Sequence, residues 1–351
     1  MMKLSVHLVT WNGEKYIPLL FKSLQEQTFK DWFLFVWDNN SSDNTVGLIK
    51  NDINKLGVQY KIIENKENAG FVGGHNEVFK MTFGEYVLLL NQDMYLPTNC
   101  LEKLVEFMDA RSESAAVSPR LMKWDRESLN TNKHESIEKS FTDCVDSLGL
   151  KAHRNRRVVE LYTGELWSTC KPANLQTCAT DVFGISGAVP MYRRAALEAV
   201  SFSNGGFFDA SYHSYKEDVD LAYRLRSAGY KAYVLLDAVA YHDRSAGGPK
   251  DLSDMTAAEN KRKQSEWVRY HSYKNQLMTL YKNEYWQNFL LDFPWILWYE
   301  LKKLIYFILF DRKVLKGLGE IWRLRRELRE KRYEIRDKRK VGWREIRKIL
   351  T

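Results

Sequence analysis

Three short stretches carry side chains able to hold a charged substrate and move a proton. Asn91-Gln92-Asp93 follows the apolar run Tyr86-Val87-Leu88-Leu89-Leu90. An aspartate there is an oxygen ligand suited to Mg²⁺ or Mn²⁺ bridging phosphates. Glu217-Asp218 opens a helical pattern. One carboxylate can take the proton of an attacking hydroxyl, while a metal or cations elsewhere hold a departing diphosphate. His242 ends a strand-like run, just before Asp243-Arg244-Ser245-Ala246-Gly247-Gly248. An imidazole at that place can ligate a metal or a phosphate, with a flexible glycine-rich loop beside it. Each stretch also has a plain structural reading: an Asx turn, acids stabilised by a helix dipole, a structural histidine. The elements around them decide.

Residues 86–90 are apolar without alternation, as expected of a strand buried on both faces of a parallel sheet. Ligands of open α/β sheets bind just outside the carboxyl ends of such strands. Leu4–Thr10, Trp32–Trp37 and Val58–Ile63 are three further strands, with helical patterns after the first two at Lys15–Gln27 and Thr45–Lys55. Polar loops at 10–13, 38–43, 64–76 and 91–93 follow the four strands, and in a parallel sheet they converge on one rim. That rim suits a nucleotide: Asp38 can accept from a base N–H, and backbone N–H groups around Gly70–Gly74 can approach a diphosphate. Gly70-Phe71-Val72-Gly73-Gly74 is not a dinucleotide fingerprint, which argues against a nicotinamide-dependent oxidoreductase.

Asp181–Met191 is expected to be a buried strand, Tyr215–Ala228 a helix, and Lys231–Leu236 and Ala238–Tyr241 strands. Residues 122–176 are polar with weak periodicity and are expected to be an insertion or mobile region, with a hairpin near Val158–Trp167. The organisation expected is a catalytic domain over 1–250, a helical aromatic-rich segment over 251–310, and a basic amphipathic tail over 311–351. Met1–Thr10 is read as a strand start, not a leader. Four scattered cysteines indicate neither a disulfide framework nor a zinc site and suit a cytosolic setting.

The net charge of +8 is unevenly placed. Residues 311–351 hold 16 Lys and Arg against 7 Asp and Glu, a net of +9, which leaves the preceding 310 residues at −1. Nucleic acid is therefore not the expected partner of the body. Phe289–Phe310 is long enough to span a bilayer, but Asp292, Pro294, Glu300, Lys302 and Lys303 interrupt it. A charge near the centre of a spanning helix costs roughly 2.5–3.5 kcal/mol. A helix pair lying in the membrane interface is expected instead, on the cytoplasmic face of the plasma membrane, with the basic tail drawn to the inner leaflet.

Taken in order, these residues resemble a family 2 glycosyltransferase of the GT-A fold, and more narrowly its bacterial rhamnosyltransferase-like branch. The resemblance covers roughly residues 3–250. It rests on Thr10-Trp11-Asn12, on Asp38 to Asp43, on Asn68-Ala69-Gly70-Phe71 through Asn76, and on Asn91-Gln92-Asp93. Ser186-Gly187-Ala188, Glu217 to Gly229 with Arg224 in register, and His242 to Gly248 complete it. It implies an α/β, Rossmann-like mixed sheet flanked by helices, with a C-terminal helical membrane-associating extension. It implies an inverting transfer with Asp218, beside Glu217, as catalytic base, and a divalent metal (Mg²⁺ or Mn²⁺) on Asp93 and His242. The nucleotide sugar would meet Thr10, Asn12, Asp38, Asn68, Gly70, Phe71, Asn76, Asn91 and Gly187. The donor implied is a dTDP- or UDP-sugar, dTDP-rhamnose in that branch, and the acceptor a glycan or polyprenyl-linked hydroxyl. Asn91 departs from the stricter Asp-x-Asp pattern and leaves the metal fewer charged ligands.

Overall fold

The computed structural model describes residues 2–130, 136–170, 178–244 and 262–351. The glycine-rich stretch after Arg244 and part of the 122–176 region lie outside the described residues.

The first strands are β1 (Leu4–Thr10), β2 (Trp32–Asp38), β3 (Gln59–Glu64) and β4 (Tyr86–Leu90). All pair in parallel, in the order β3-β2-β1-β4. Helices α1 (Ile17–Gln25), α2 (Thr45–Asp52) and α3 (Gly70–Met81) alternate with them. Every residue of β4 is buried. Tyr86, Leu88 and Leu90 enter one apolar layer, and Val87 and Leu89 the layer on the opposite face. The unalternating apolar run is thus a strand covered on both sides, as its composition requires.

Beyond β4 come β5 (Met94–Tyr95), α4 (Cys100–Ala110) and the long β6 (Ser114–Trp124). Then follow β7 (Phe141–Ser147), β8 (Leu150–Ala152), β9 (Val158–Glu160), α5 (Trp167–Cys170), β10 (Ala179–Val182) and β11 (Met191–Arg193). After α6 (Arg194–Val200) and α7 (Glu217–Ser227) the chain enters β12 (Lys231–His242). The ten-stranded sheet follows the path β10-β12-β6-β11-β4-β1-β2-β3, with β5 paired to β12 and β7 to β6. β11 is antiparallel to both its neighbours, so the sheet is mixed.

Four expectations change. Residues 181–191 are strand only at their ends, Asp181–Val182 in β10 and Met191 in β11, since Gly184, Gly187 and Pro190 break the run between them. Residues 231–242 form one strand, with an irregularity between Leu235 and Val239. The loop expected over 64–76 ends at Gly70, where α3 begins. A Cβ on Gly74 would lie 2.9 Å from Val9 and 3.1 Å from Trp37, so this glycine lets α3 press on the sheet. The described part of 122–176 belongs to the body: β7 pairs with β6, and β8 with β9, placing the hairpin earlier than expected.

The C-terminal segment is helical: α8 (Glu266–Asn283), α9 (Trp286–Phe310), α10 (Lys316–Arg323), α11 (Arg325–Asp337) and α12 (Trp343–Ile349). The expected helix pair is a single 25-residue helix that carries Pro294 internally. Among the described residues no helix is long and apolar enough to cross a membrane. Leu328 and Ile335 of the tail are buried, and Ile321 and Leu324 pack against the same layer as α7.

Candidate active site

β5 and β12 pair antiparallel, with His242 opposite Met94. Asp243 N–H also donates to the Asp93 carbonyl at 3.0 Å. These two ties bring His242 Nε2 to 3.4 Å from Asp93 Oδ2. On the other side of the ring, Nδ1 lies 2.9 Å from Asp146 Oδ2, on β7. Burial alone would depress the imidazole, but Asp93 and Asp146 outweigh it and hold its pKa at about 9. Asp146 is itself buried, and the His242 hydrogen bond and Arg244 keep it ionised.

Among the described residues no group of three or more His, Cys, Asp or Glu converges as a metal cage. Asp93 and His242 nevertheless stand at the spacing of two ligands sharing one ion whose bonds are about 2.1 Å. Asp146 occupies Nδ1 and leaves Nε2 for the cation, the usual outer-shell support of a ligating histidine. The donor set fits an ion that takes the rest of its shell from diphosphate oxygens and water.

Asp93, Asn91, Phe71, Gly187, Glu217, Asp218 and His242 all open onto one cavity of about 310 Å³. Glu217 and Asp218 enter it from the first turn of α7. Burial, and then the neighbouring Asp218 charge, push Glu217 up to about 8. Its Oε2 has no hydrogen-bond partner among the described residues. Burial also raises Asp218; Glu160 adds to this, while Lys216 and Arg244 oppose it. Arg244 donates to both oxygens of Glu160 and lies 3.5 Å from Asp146.

The turn that delivers this pair is strained. His213, Tyr215 and Lys216 have φ of 61°, 68° and 68°. Left-handed backbone at a side-chain-bearing residue costs of order 1–3 kcal/mol and persists only where the surroundings impose it. Asn275 of α8 imposes it here. Its buried amide donates to the carbonyls of Tyr212, Ser214 and Tyr215 at 3.1, 2.9 and 2.7 Å. Gly70 is part of the same fit: at φ 73° its Cβ would stand 2.7 Å from the His213 ring.

Other sequence candidates sit at the neighbouring rim, outside the cavity lining. Thr10 donates to Gln92 Oε1 at 2.6 Å, which ties the first loop to the Asp93 loop. Asn12 Oδ1 accepts from Ser42 N–H, and both Asp38 oxygens accept from Ser41. Asn68 Oδ1 accepts from Gly70 N–H. Asn76 is buried, and its amide bonds both backbone groups of Phe208 at 3.0 Å. It fastens α3 to the 207–208 turn and does not face the cavity.

Asp220 and Arg224, from the same motif as Asp218, point into the body. Arg224 donates to Asp220 at 2.9 Å and to the carbonyls of Val200 and Phe207. Asp146, Glu160, Arg244 and Asn275 escaped the sequence reading. Arg244, two residues beyond His242, is the one that position alone could have suggested.

The family model described as Glycosyl transferase family 2 matches residues 5–201. The chain belongs to this family. Its relatives include the poly(ribitol-phosphate) beta-N-acetylglucosaminyltransferase TarS of Staphylococcus aureus. That protein is 35% identical over 112 residues, which are 31% of this chain and 19% of TarS. Another is the GalNAc(5)-diNAcBac-PP-undecaprenol beta-1,3-glucosyltransferase of Campylobacter jejuni. It is 34% identical over 107 residues, 30% of this chain and 34% of the relative. The chain thus matches about a third or less of these relatives' length. Among solved structures, the mannosyltransferase PcManGT of Pyrobaculum calidifontis, in complex with GDP-Man and Mn²⁺, superposes with a TM-score of 0.50. The identity is 15%, covering 95% of this chain and 85% of that one. At that identity the likeness speaks for the fold, which is GT-A.

Proposed function

We propose that this family 2 protein transfers one sugar, with inversion, from a nucleoside-diphosphate donor to a glycan or lipid-linked hydroxyl. The observation that carries the reading is the opening of Glu217-Asp218 and Asp93-His242 onto one cavity. Asp218 takes the acceptor's proton as the acceptor oxygen bonds the anomeric carbon. The bond from that carbon to the diphosphate breaks on the opposite side, and the electron pair leaves with the diphosphate. Glu217, beside Asp218, holds its own proton against the Asp218 charge. Asp93 and His242 would hold Mg²⁺ or Mn²⁺, which when bound supplies positive charge against the departing diphosphate. Asn91, Phe71 and Gly187 flank the sugar-diphosphate. Thr10, Asn12 and Asp38 shape the nucleoside rim, and Asn68 and Gly70 fix the turn beside it.

The relatives above are named as a poly(ribitol-phosphate) beta-N-acetylglucosaminyltransferase and a beta-1,3-glucosyltransferase acting on a PP-undecaprenol-linked glycan. UDP-GlcNAc and UDP-glucose therefore stand beside dTDP-rhamnose as donors to test. Donor hydrolysis and transfer across these three, with Mg²⁺, Mn²⁺ or EDTA, examines the reading. Activity should vanish in EDTA and return with metal. Asp218→Asn should lose about 10²–10⁴-fold in kcat while still binding UDP by calorimetry. Transfer unchanged in Asp218→Asn would overturn the mechanism.

A further inference from the structure

Helix α9 is built inside out. Its protein-facing side carries Asn288, Asp292, Ile296, Lys303 and Phe307, all buried, at three- to seven-residue steps. Asp292, fully buried, accepts from Arg156 at 3.0 Å and from Arg347 at 2.8 and 3.0 Å. Asn288 donates to the Trp343 carbonyl, and Lys303 to Glu300. The outward side is apolar: Trp295, Trp298, Leu309 and Phe310 are 60 %, 61 %, 65 % and 65 % exposed, and Leu290 and Leu301 lie among them. A helix covering an ordinary core shows the reverse arrangement. An apolar face of this extent is not built for water.

Two further features say what covers it. From Phe310 to Arg329 the exposed charges are cationic: Arg312, Lys316, Arg323, Arg325, Arg326 and Arg329 are exposed, while Asp311, Glu320 and Glu327 are half-buried and paired; further along, Glu330, Asp337 and Glu345 are exposed among Arg and Lys. Apolar and aromatic side chains bordered by Arg and Lys suit the headgroup boundary of an anionic bilayer. The helix also packs on elements that line the cavity. Ser272 lines the cavity, and its neighbour Tyr273 packs on Phe307 with ring centroids 4.8 Å apart. Arg156, which anchors Asp292, leads into β9, whose Val158, Val159 and Glu160 also line the cavity.

We infer that the outward face of α9 seats on an anionic lipid surface and holds the cavity mouth against it, so that the acceptor taken there is lipid-linked. The choice of acceptor rests on the transferase reading above; the docking does not.

The test uses the full chain with vesicles of phosphatidylcholine alone or with phosphatidylglycerol. Co-sedimentation is expected with the anionic vesicles, weakened but not abolished by 0.5 M salt, since the Debye length falls to a few ångströms while apolar burial persists. Trp295→Glu/Trp298→Glu, and separately Leu297→Glu/Leu301→Glu, should each lower vesicle binding by roughly tenfold or more. Both should retain the wild-type melting temperature and donor hydrolysis in solution. Equal binding by folded variants, or no binding by the wild type, overturns the inference. So does a wild-type dimer in sedimentation velocity that the same variants dissociate, because a second copy would then cover the face. Vesicle binding without any transfer would leave the docking intact and remove the transferase reading.

Discussion

At the scale of single residues, Glu217 stores the most informative conflict. Burial and the Asp218 charge raise its pKa from the usual 4.5 to about 8. A carboxyl that binds its proton more tightly when folded contributes most below its unfolded pKa. Its contribution falls as pH rises from about 4.5 toward about 8. Glu217→Gln removes that penalty. We expect the variant to melt higher at pH 9 than the wild type, by about 1–3 kcal/mol of stability, with little change at pH 5. The acid limb of its pH–kcat/KM profile should stay in place, because Glu217 already carries its proton below about pH 8. A limb that moves would mean that Glu217 is ionised where Asp218 titrates. The residues of this pair, like Asp93 and His242, were legible because each sits in a short motif at the end of a strand or the start of a helix. Asp146 was not: it meets His242 across 96 residues of sequence, and no local pattern announces such a contact.

At the scale of elements, the 213–216 turn and α8 act as one device. The sequence pattern extends the helix back to Tyr215, whereas α7 begins at Glu217, and nothing in the pattern signals that His213, Tyr215 and Lys216 take left-handed backbone. The reason lies in Asn275, whose amide N–H groups are shared among three carbonyls from another part of the chain. Asn275→Ala frees those carbonyls and lets the turn relax. The expected result is a drop in kcat of about 10- to 100-fold from misplacement of Asp218, with KM for the donor nearly unchanged. A matching rise in KM alone would locate Asn275's effect at donor binding. Misreadings at this scale share a cause. The glycines at 70–74 suggest a loop because glycine permits both tight turns and close packing; α3 in fact begins at Gly70, and Gly74 packs closely on Val9 and Trp37. The Pro294 and charge interruptions in 289–310 suggested two helices, yet the charges face protein partners and the proline lies on the exposed side.

At the scale of the molecule, the C-terminal helices are bound into the catalytic body. Asp209 and Lys282 are wholly buried, and Lys331 of α11 pairs with the same aspartate. Lys282 also reaches Asp220 of α7 at 3.0 Å. Breaking one partner of a buried charge pair costs roughly 3–5 kcal/mol. Lys331→Ala should therefore lower the denaturant midpoint by an amount equivalent to that loss. A chain ending at Phe310, which also strips Arg347 from Asp292, should be insoluble or unfold at far lower denaturant. Full stability of the shortened chain would show that residues 311–351 are an appendage. Composition alone made the tail a basic arm for a surface. The buried Leu328, Lys331 and Ile335 show that one side of it belongs to the interior.

The strand order carries a consequence for how the protein is made. β11 inserts between β4 and β6, and β12 lies beside β6, so early strands wait for late ones. Pairings of high sequence separation form slowly and leave open edges while they wait. The Asp93–His242 pair closes only when β12 has docked against both β5 and β6. In refolding, helical signal should recover before activity does. The first turnover then marks a finished sheet, and during synthesis the unpaired edges of β4 and β6 are where a holding chaperone would be needed.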